Sequence, residues 1–418
     1  MKFLHLHHEP TRVHECGDPR VWIQARRLAQ LGHQTTFVEV HGERQIGRVR
    51  WERVSEPGIA RIRSDRRPRR ALFPKDDIAL LVEGGLTCDF ELVLVASTNI
   101  TLVTAGLRLA RERGVPFVLE QATPWPKNQD QALRDEAYAE GRRIIVANQE
   151  LVDDLLSLGI SSRKIALIEP SVEDSILVRP ADGTPAPVSL RQRSSLLRHR
   201  PLVAVLADLD SAQVRESLLA LASHIRTIDP PVLLAVLGHG AGYEDLRQRV
   251  QTHPNTALVC EPMPTAAARV ELLQAADLAL SAVPDTSFDP PLEPLLDALA
   301  CGNPVIYNHY GAFGTSLVAQ NVGFAYDLGD PEDTAQLLIR TLRQPDWRRF
   351  GPPAARSFAG AARFDPIRHA HELDHLLRSC IEADPALPEF PILHDGDHEA
   401  AANDPGEAPE AAVRPTGT

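Results

Sequence analysis

Six residues near the start of the chain carry the first recognisable chemistry: His5, His7, His8, Glu9, His14 and Glu15. His5 and His7 alternate along an apolar strand and share one face, so two imidazoles could reach one zinc ion. Zinc needs three or four ligands in fixed geometry, and no second His-x-His, His-Glu-x-x-His or metal-spaced Asp/His set follows. The spacing therefore argues against a metal centre. Next comes Cys16-Gly17-Asp18, just before Pro19. A glycine lets backbone approach a ligand, and the amides at a helix start favour an anion. The same residues also make a plain helix start, with Asp18 as cap and Pro19 in the first turn. Ser97-Thr98-Asn99 follows an apolar strand, where a site is expected, and equally forms an N-cap.

The elements that position these residues alternate. Residues 2–6 read as a buried strand, 18–31 as a helix stopped at Gly32, and 35–40 as the next strand. Strands follow at 92–96, 116–120, 143–147 and 164–168, with helices at 100–113, 129–141 and 150–158 between them. Residues 179–200 break the rhythm with Pro, Gly and small polar residues, which marks a linker. A second series then runs from a strand at 202–206 to a helix at 331–343, with a Gly loop near 311–314. An amphipathic helix spans 365–382. Beyond about 384, Pro, Ala, Asp and Glu recur without periodicity, as in a disordered tail. Alternation of this kind predicts parallel sheets covered on both faces, with ligands at the carboxyl ends of the strands. The expected division is 1–178, a linker 179–200, a second domain 201–362, a returning helix 363–383 and an acidic tail 384–418.

Composition narrows the function. The 418 residues fit two domains, and a core drawn from 43% hydrophobic but only 5% aromatic residues must be mostly Leu, Val, Ile and Ala. A net charge of −12 argues against a generic nucleic-acid binder, which needs Lys and Arg for phosphates. Residues 41–75 depart from that balance with eleven Lys/Arg against four Asp/Glu. They read either as an Arg-rich solvated loop or as a face for an anionic substrate or membrane surface. Five scattered cysteines without a Cys-x-x-Cys pair predict a reducing compartment, hence the cytoplasm, with peripheral contact at the inner membrane face left open. No apolar leader or spanning stretch is seen, and no sequence feature speaks to oligomeric state.

Several segments together resemble a known family. Residues 297–306, Asp-Ala-Leu-Ala-Cys-Gly-Asn-Pro-Val-Ile, resemble the E-A-M-A-C-G-x-P-V-I segment of the family-four retaining glycosyltransferases. Gly238-His239-Gly240 with Glu244 and Leu246, Ala275-Ala276-Asp277, and Gly329-Asp330-Pro331 are similar to further motifs of that family in the same order. Gly17-Asp18-Pro19-Arg20-Val21 with Leu28 and Gly32-His33 is similar to an N-terminal pattern of some members. The likeness spans roughly residues 1–380. It implies a GT-B fold: an α/β chain with two doubly wound Rossmann-like domains facing a central cleft. It also implies a nucleotide-diphosphate sugar as donor, a carbohydrate or lipid-linked acceptor as in polysaccharide assembly, retention of anomeric configuration, and no metal or other cofactor.

The family's residues carry over unevenly. Its acidic pair, eight apart, falls on Asp289 and Asp297. The resemblance puts Asp289, on the loop, beside the donor sugar and Asp297, on the helix, at the nucleotide ribose; Glu293, on the same helix as Asp297, is a further substrate-binding candidate. Gly238 and Gly240 would flank the nucleotide; Gly17 and Asp18 would line the phosphate and acceptor side. Asp in place of Glu shortens each arm by roughly 1 Å, a misplacement that can cost on the order of a hundredfold. The family's Arg and Lys at the diphosphate are replaced by Asp208 and Gln213. Two charged hydrogen bonds lost would remove about 3–6 kcal/mol. Arg215, Arg247, His239 and His309 are the nearby candidates to compensate. The family's N-domain His falls on Ala122, beside Glu120, Gln121 and Trp125. A transferase is the first expectation; a GT-B protein that binds ligand or partner without turnover is the alternative.

Overall fold

The computed structural model describes residues 1–7, 19–39, 51–64, 74–126, 130–172, 200–226, 232–237, 241–251, 258–260, 266–284, 292–308, 311–361 and 364–382. The first half supplies β1 (Lys2–His7), α1 (Pro19–Gln30), β2 (Gln34–Glu39), β3 (Trp51–Glu56), β4 (Ile59–Ser64), α2 (Pro74–Leu86) and β5 (Leu92–Ala96). It continues with α3 (Ile100–Arg113), β6 (Phe117–Gln121), α4 (Gln131–Glu140), β7 (Arg143–Val146), α5 (Gln149–Ser157) and β8 (Ile165–Leu167). The strands pair in the order β3-β4-β2-β1-β5-β6-β7-β8, parallel throughout except for the edge pair β3–β4.

The second half supplies β9 (Leu202–Ala207), α6 (Ala212–Ile225), β10 (Leu233–Leu237), α7 (Ala241–Gln251), β11 (Leu258–Cys260), α8 (Ala266–Ala275), β12 (Leu278–Ala282) and α9 (Glu293–Ala300). After these come β13 (Val305–Tyr307), α10 (Gly311–Ala319), β14 (Gly323–Ala325), α11 (Pro331–Arg343), α12 (Pro345–Ala359) and α13 (Pro366–Ile381). Here the order is β11-β10-β9-β12-β13-β14, all parallel.

Fully apolar strands such as Leu92–Ala96 and Leu202–Ala207 cannot show either face to water, and both sheets are covered twice. In the first, Leu4, Leu6, Val93, Val95 and Leu119 face α2 to α5. Phe3, Leu92, Leu94, Val118 and Ile145 face the other way, against Leu28 of α1 and against Leu373, Leu376, Leu377 and Cys380 of α13. The last described helix thus completes the core of the first sheet. Burial pushes the Cys380 thiol up to about 11, so it stays neutral and inert there.

A polar latch holds the same helix. His33, buried just past α1, has its Nε2 2.7 Å from Asp374 Oδ1, and Arg378 donates to Asp374 Oδ1 at 2.9 Å. Its Nδ1 lies 3.2 Å from the Met1 amino group. Burial pushes the His33 pKa down, and this outweighs the opposing pull of Asp374.

Most elements stand where periodicity put them. Gly32 ends α1, its N–H bonding Ala29 O at 3.0 Å and that of His33 bonding Leu28 O at 3.0 Å. Two regions differ. Within 41–75, read as a loop, lie the β3–β4 hairpin and the start of α2. Ile59, Ala60 and Ile62 are buried, Ile59 toward α1 and Ile62 toward the opposite face, and Arg61 and Arg63 break up the apolar run in sequence. The expected Gly loop at 311–314 is the first turn of α10, where Gly314 lies against the Tyr307 ring and its carbonyl accepts from Tyr307 Oη at 2.6 Å. The linker 179–199 and the tail from 383 lie outside the described residues.

Two outcomes follow. Leu376→Ala, fully buried between α13 and the first sheet, should lower unfolding free energy in urea by about 2–5 kcal/mol. Because His33 binds a proton more weakly folded than unfolded, stability should fall as pH drops below its ordinary 6.5. Relative to His33→Gln, wild type should lose stability in that window and not above it, measured by denaturation at stepped pH.

Candidate functional site

In each sheet the chain order reverses once, between β1 and β5 and between β9 and β12. At such a switch point the loops leaving two neighbouring strands part in opposite directions and open a crevice at the carboxyl edge. In the second sheet the floor is firm. Asp208 donates its N–H to Ala282 O at 3.0 Å, tying the ends of β9 and β12. The Asn308 side chain grips Val283 twice, accepting from its N–H at 3.1 Å and donating to its carbonyl at 2.7 Å, which ties β12 to β13.

The loop after β9 stands in the diphosphate position of the resemblance, and it is acidic. Asp208 Oδ1 accepts from Asp210 N–H at 3.1 Å, and Ser211 caps α6. The start of α7 presses so closely on this loop that a Cβ at Gly242 would run into Leu209 O. Neither described cation proposed to compensate is directed to a phosphate. Arg215 donates to Leu209 O at 2.6 Å and Asp210 O at 3.1 Å, with its Nε 3.1 Å from Asp245. Arg247 is paired to Glu244 at 2.8 Å. Gln213 is exposed.

Of the sequence-predicted site residues, Glu293 and Asp297 are described; Gly17, Asp18, Gly238, Gly240 and Asp289 lie outside the described residues, as do His239 and His309. Glu293 opens α9 and is half-buried. Asp297, one turn on, is 2% exposed, and its Oδ2 lies 2.8 Å from an Arg269 guanidinium nitrogen. Arg269 stands in the first turn of α8, where the helix dipole disfavours a cation. Nothing in the resemblance marked it. That misplaced charge, in a helix that must lie beside α9, is the sequence signal that could have found it.

The first sheet offers a second polar group at the end of β6. Side chains alternate there, so Glu120 meets Gln24 of α1 at 3.1 Å while Gln121, on the opposite face, accepts from Tyr138 Oη of α4 at 2.8 Å. Gln121 Nε2 and Trp125 Nε1 are buried donors with no hydrogen-bond partner among the described residues. Trp125 packs edge-on against Tyr138 with ring centroids 6.2 Å apart, anchoring the loop. Burial pushes the Tyr138 hydroxyl up to about 12, so it remains a donor. Ala122, in the histidine position, is exposed. Asn99 serves as the N-cap of α3, accepting from Thr101 N–H at 2.9 Å. Among the described residues no His, Cys, Asp and Glu group could hold a metal ion, and no helix is long and apolar enough to cross a membrane.

Two doubly wound sheets of this size in one chain match solved structures over nearly their whole length. The sucrose-phosphate synthase of Thermosynechococcus elongatus superposes with a TM-score of 0.69 at 16% identity, covering 92% of this chain and 100% of its own. Anabaena HepE, solved in complex with UDP-glucose, gives 0.65 at 13% identity over 91% and 100%. The trehalose 6-phosphate synthase of Burkholderia multivorans gives 0.66 at 13% identity over 91% and 99%. The fold is GT-B. The family model for Glycosyltransferase Family 4 matches residues 20–175. No curated protein sequence matches significantly.

Within this GT-B frame the motifs behind the resemblance do architectural work. Asp277 Oδ2 accepts from Leu202 N–H at 2.9 Å, pinning the start of β9. Gly302 ends α9 with φ +90°, and Asn303 Nδ2 reaches back to Leu273 O at 2.6 Å. Asp330 caps α11 through Asp333 N–H at 2.9 Å. The Asp297–Arg269 pair ties α9 to α8 in the same way. Removing one partner of a buried pair strands a charge, so Asp297→Ala should cost about 3–5 kcal/mol in denaturation. Adding Arg269→Met should restore most of that loss.

Proposed function

We propose that the chain transfers a sugar from a nucleotide-diphosphate sugar to a carbohydrate or lipid-linked acceptor with retention of configuration. The observation that carries the reading is the switch point between β9 and β12, at whose carboxyl edge α6 and α9 begin. Support comes from the likeness over nine-tenths of the chain to transferases of this fold, one of them solved with UDP-glucose. In this reading residues 1–178 form the acceptor side and 201–362 the nucleotide side, joined by 179–200, with 363–383 crossing back. Gly238, Gly240, Glu293 and Asp297 line the donor nucleotide, Gly17 and Asp18 the phosphate and acceptor side. Asp289 lies beside the sugar and stabilises charge that builds there as the diphosphate departs.

A second reading is a GT-B protein that binds ligand or partner without turnover. The acidic β9 loop favours it, since Asp208 and Asp210 stand where a leaving diphosphate needs cations, and Arg215 and Arg247 are engaged elsewhere.

Calorimetric titration with UDP, GDP and ADP, followed by assay of nucleoside diphosphate release from the matching sugar nucleotide, separates the two. Transfer predicts saturable binding of one nucleotide and slow release even to water. Asp289→Asn should reduce release about a hundredfold or more with affinity little changed. Binding without release under any acceptor would favour the second reading; no binding by folded protein would overturn the first.

A further inference from the structure

Resting on the donor-site reading above, we propose that Arg269 is a positioning residue of the nucleotide site, holding the Asp297 carboxylate charged and fixed to accept a hydrogen bond from the ribose. Topology puts the pair near the crevice. In a parallel sheet every helix starts at the carboxyl edge, and Arg269 and Asp297 are the fourth and fifth residues of α8 and α9. The pair therefore bridges two helices one turn below the edge where a ligand would lie. Burial supplies the need. A carboxylate taken from water without a cation is driven toward its protonated form, which donates where it should accept. Arg269, with a side chain only 15% exposed, provides that cation at 2.8 Å.

The remaining access is narrow. The Asp297 side chain is 3% exposed, and one hydrogen bond from a ribose hydroxyl needs a single oxygen lone pair at that edge. Since Asp is shorter than the Glu of the resembled motif, its reach depends more on being held at one angle.

The test is titration of the full chain with UDP, GDP and ADP and their 2′-deoxy counterparts, for wild type, Arg269→Met, Arg269→Lys and Asp297→Asn, with melting midpoints recorded. Wild type should prefer the ribonucleotide by about tenfold or more, the worth of one hydrogen bond to a charged group. Arg269→Met and Asp297→Asn should both abolish that preference, and Arg269→Lys should keep part of it. A pair that only packs α8 against α9 would lower the melting midpoint and leave the preference intact, which would overturn the proposal. Wild type binding ribo- and deoxynucleotides equally would overturn it too while leaving the donor-site reading standing. Binding of none would remove both. Should Arg269→Met fail to fold, Arg269→Lys and Asp297→Asn decide: full preference in both overturns the proposal, loss in the second with partial loss in the first supports it.

Discussion

A parallel sheet of Val, Leu, Ile and Ala cannot leave either face in water, and this constraint organises the molecule. It forces each strand to be followed by a crossover that covers a face. It sends every loop leaving a strand to one edge, and there the switch points between β1 and β5 and between β9 and β12 open. It also accounts for the path of the last described helix. Phe3, Leu94, Val118 and Ile145 present an apolar face that α1 covers only in part, and α13 returns from beyond the second sheet to close it. The His33–Asp374–Arg378 latch then fixes its position along that face.

The same constraint explains what was legible. Runs such as Leu92–Ala96 and Leu278–Ala282 are apolar because both faces are buried, and glycines such as Gly32 and Gly302 stand where helices must stop. The motifs that carry the family resemblance belong to this class: Asp277, Gly302-Asn303 and Asp330 brace a strand start, end a helix and cap one. They speak for the fold, and they would persist in a relative whose chemistry had changed.

What was hidden had a physical reason in each case. In β4 the buried Ile59, Ala60 and Ile62 are interrupted in sequence by Arg61 and Arg63, so a strand read as a loop. The glycines of α10 lower its helix propensity, and packing on Tyr307 overrides them. Asp297 was placed at the nucleotide ribose by its position in the resembled motif. Its burial against Arg269 depends on two residues 28 positions apart in sequence meeting, which no local pattern encodes. The cation Arg269 brings is matched by that carboxylate, and Asp208 and Asp210 remain in the loop after β9.

The central claim is that the β9/β12 crevice receives a nucleotide diphosphate. Hydrogen–deuterium exchange of the full chain, with and without saturating UDP, GDP or ADP, tests it most directly. The account predicts that one nucleotide slows exchange at the amides of Asp208–Val214 and of Glu293–Asp297, with α13 and the far ends of the strands unchanged. Protection confined to the first sheet, or none with any nucleotide, would contradict it.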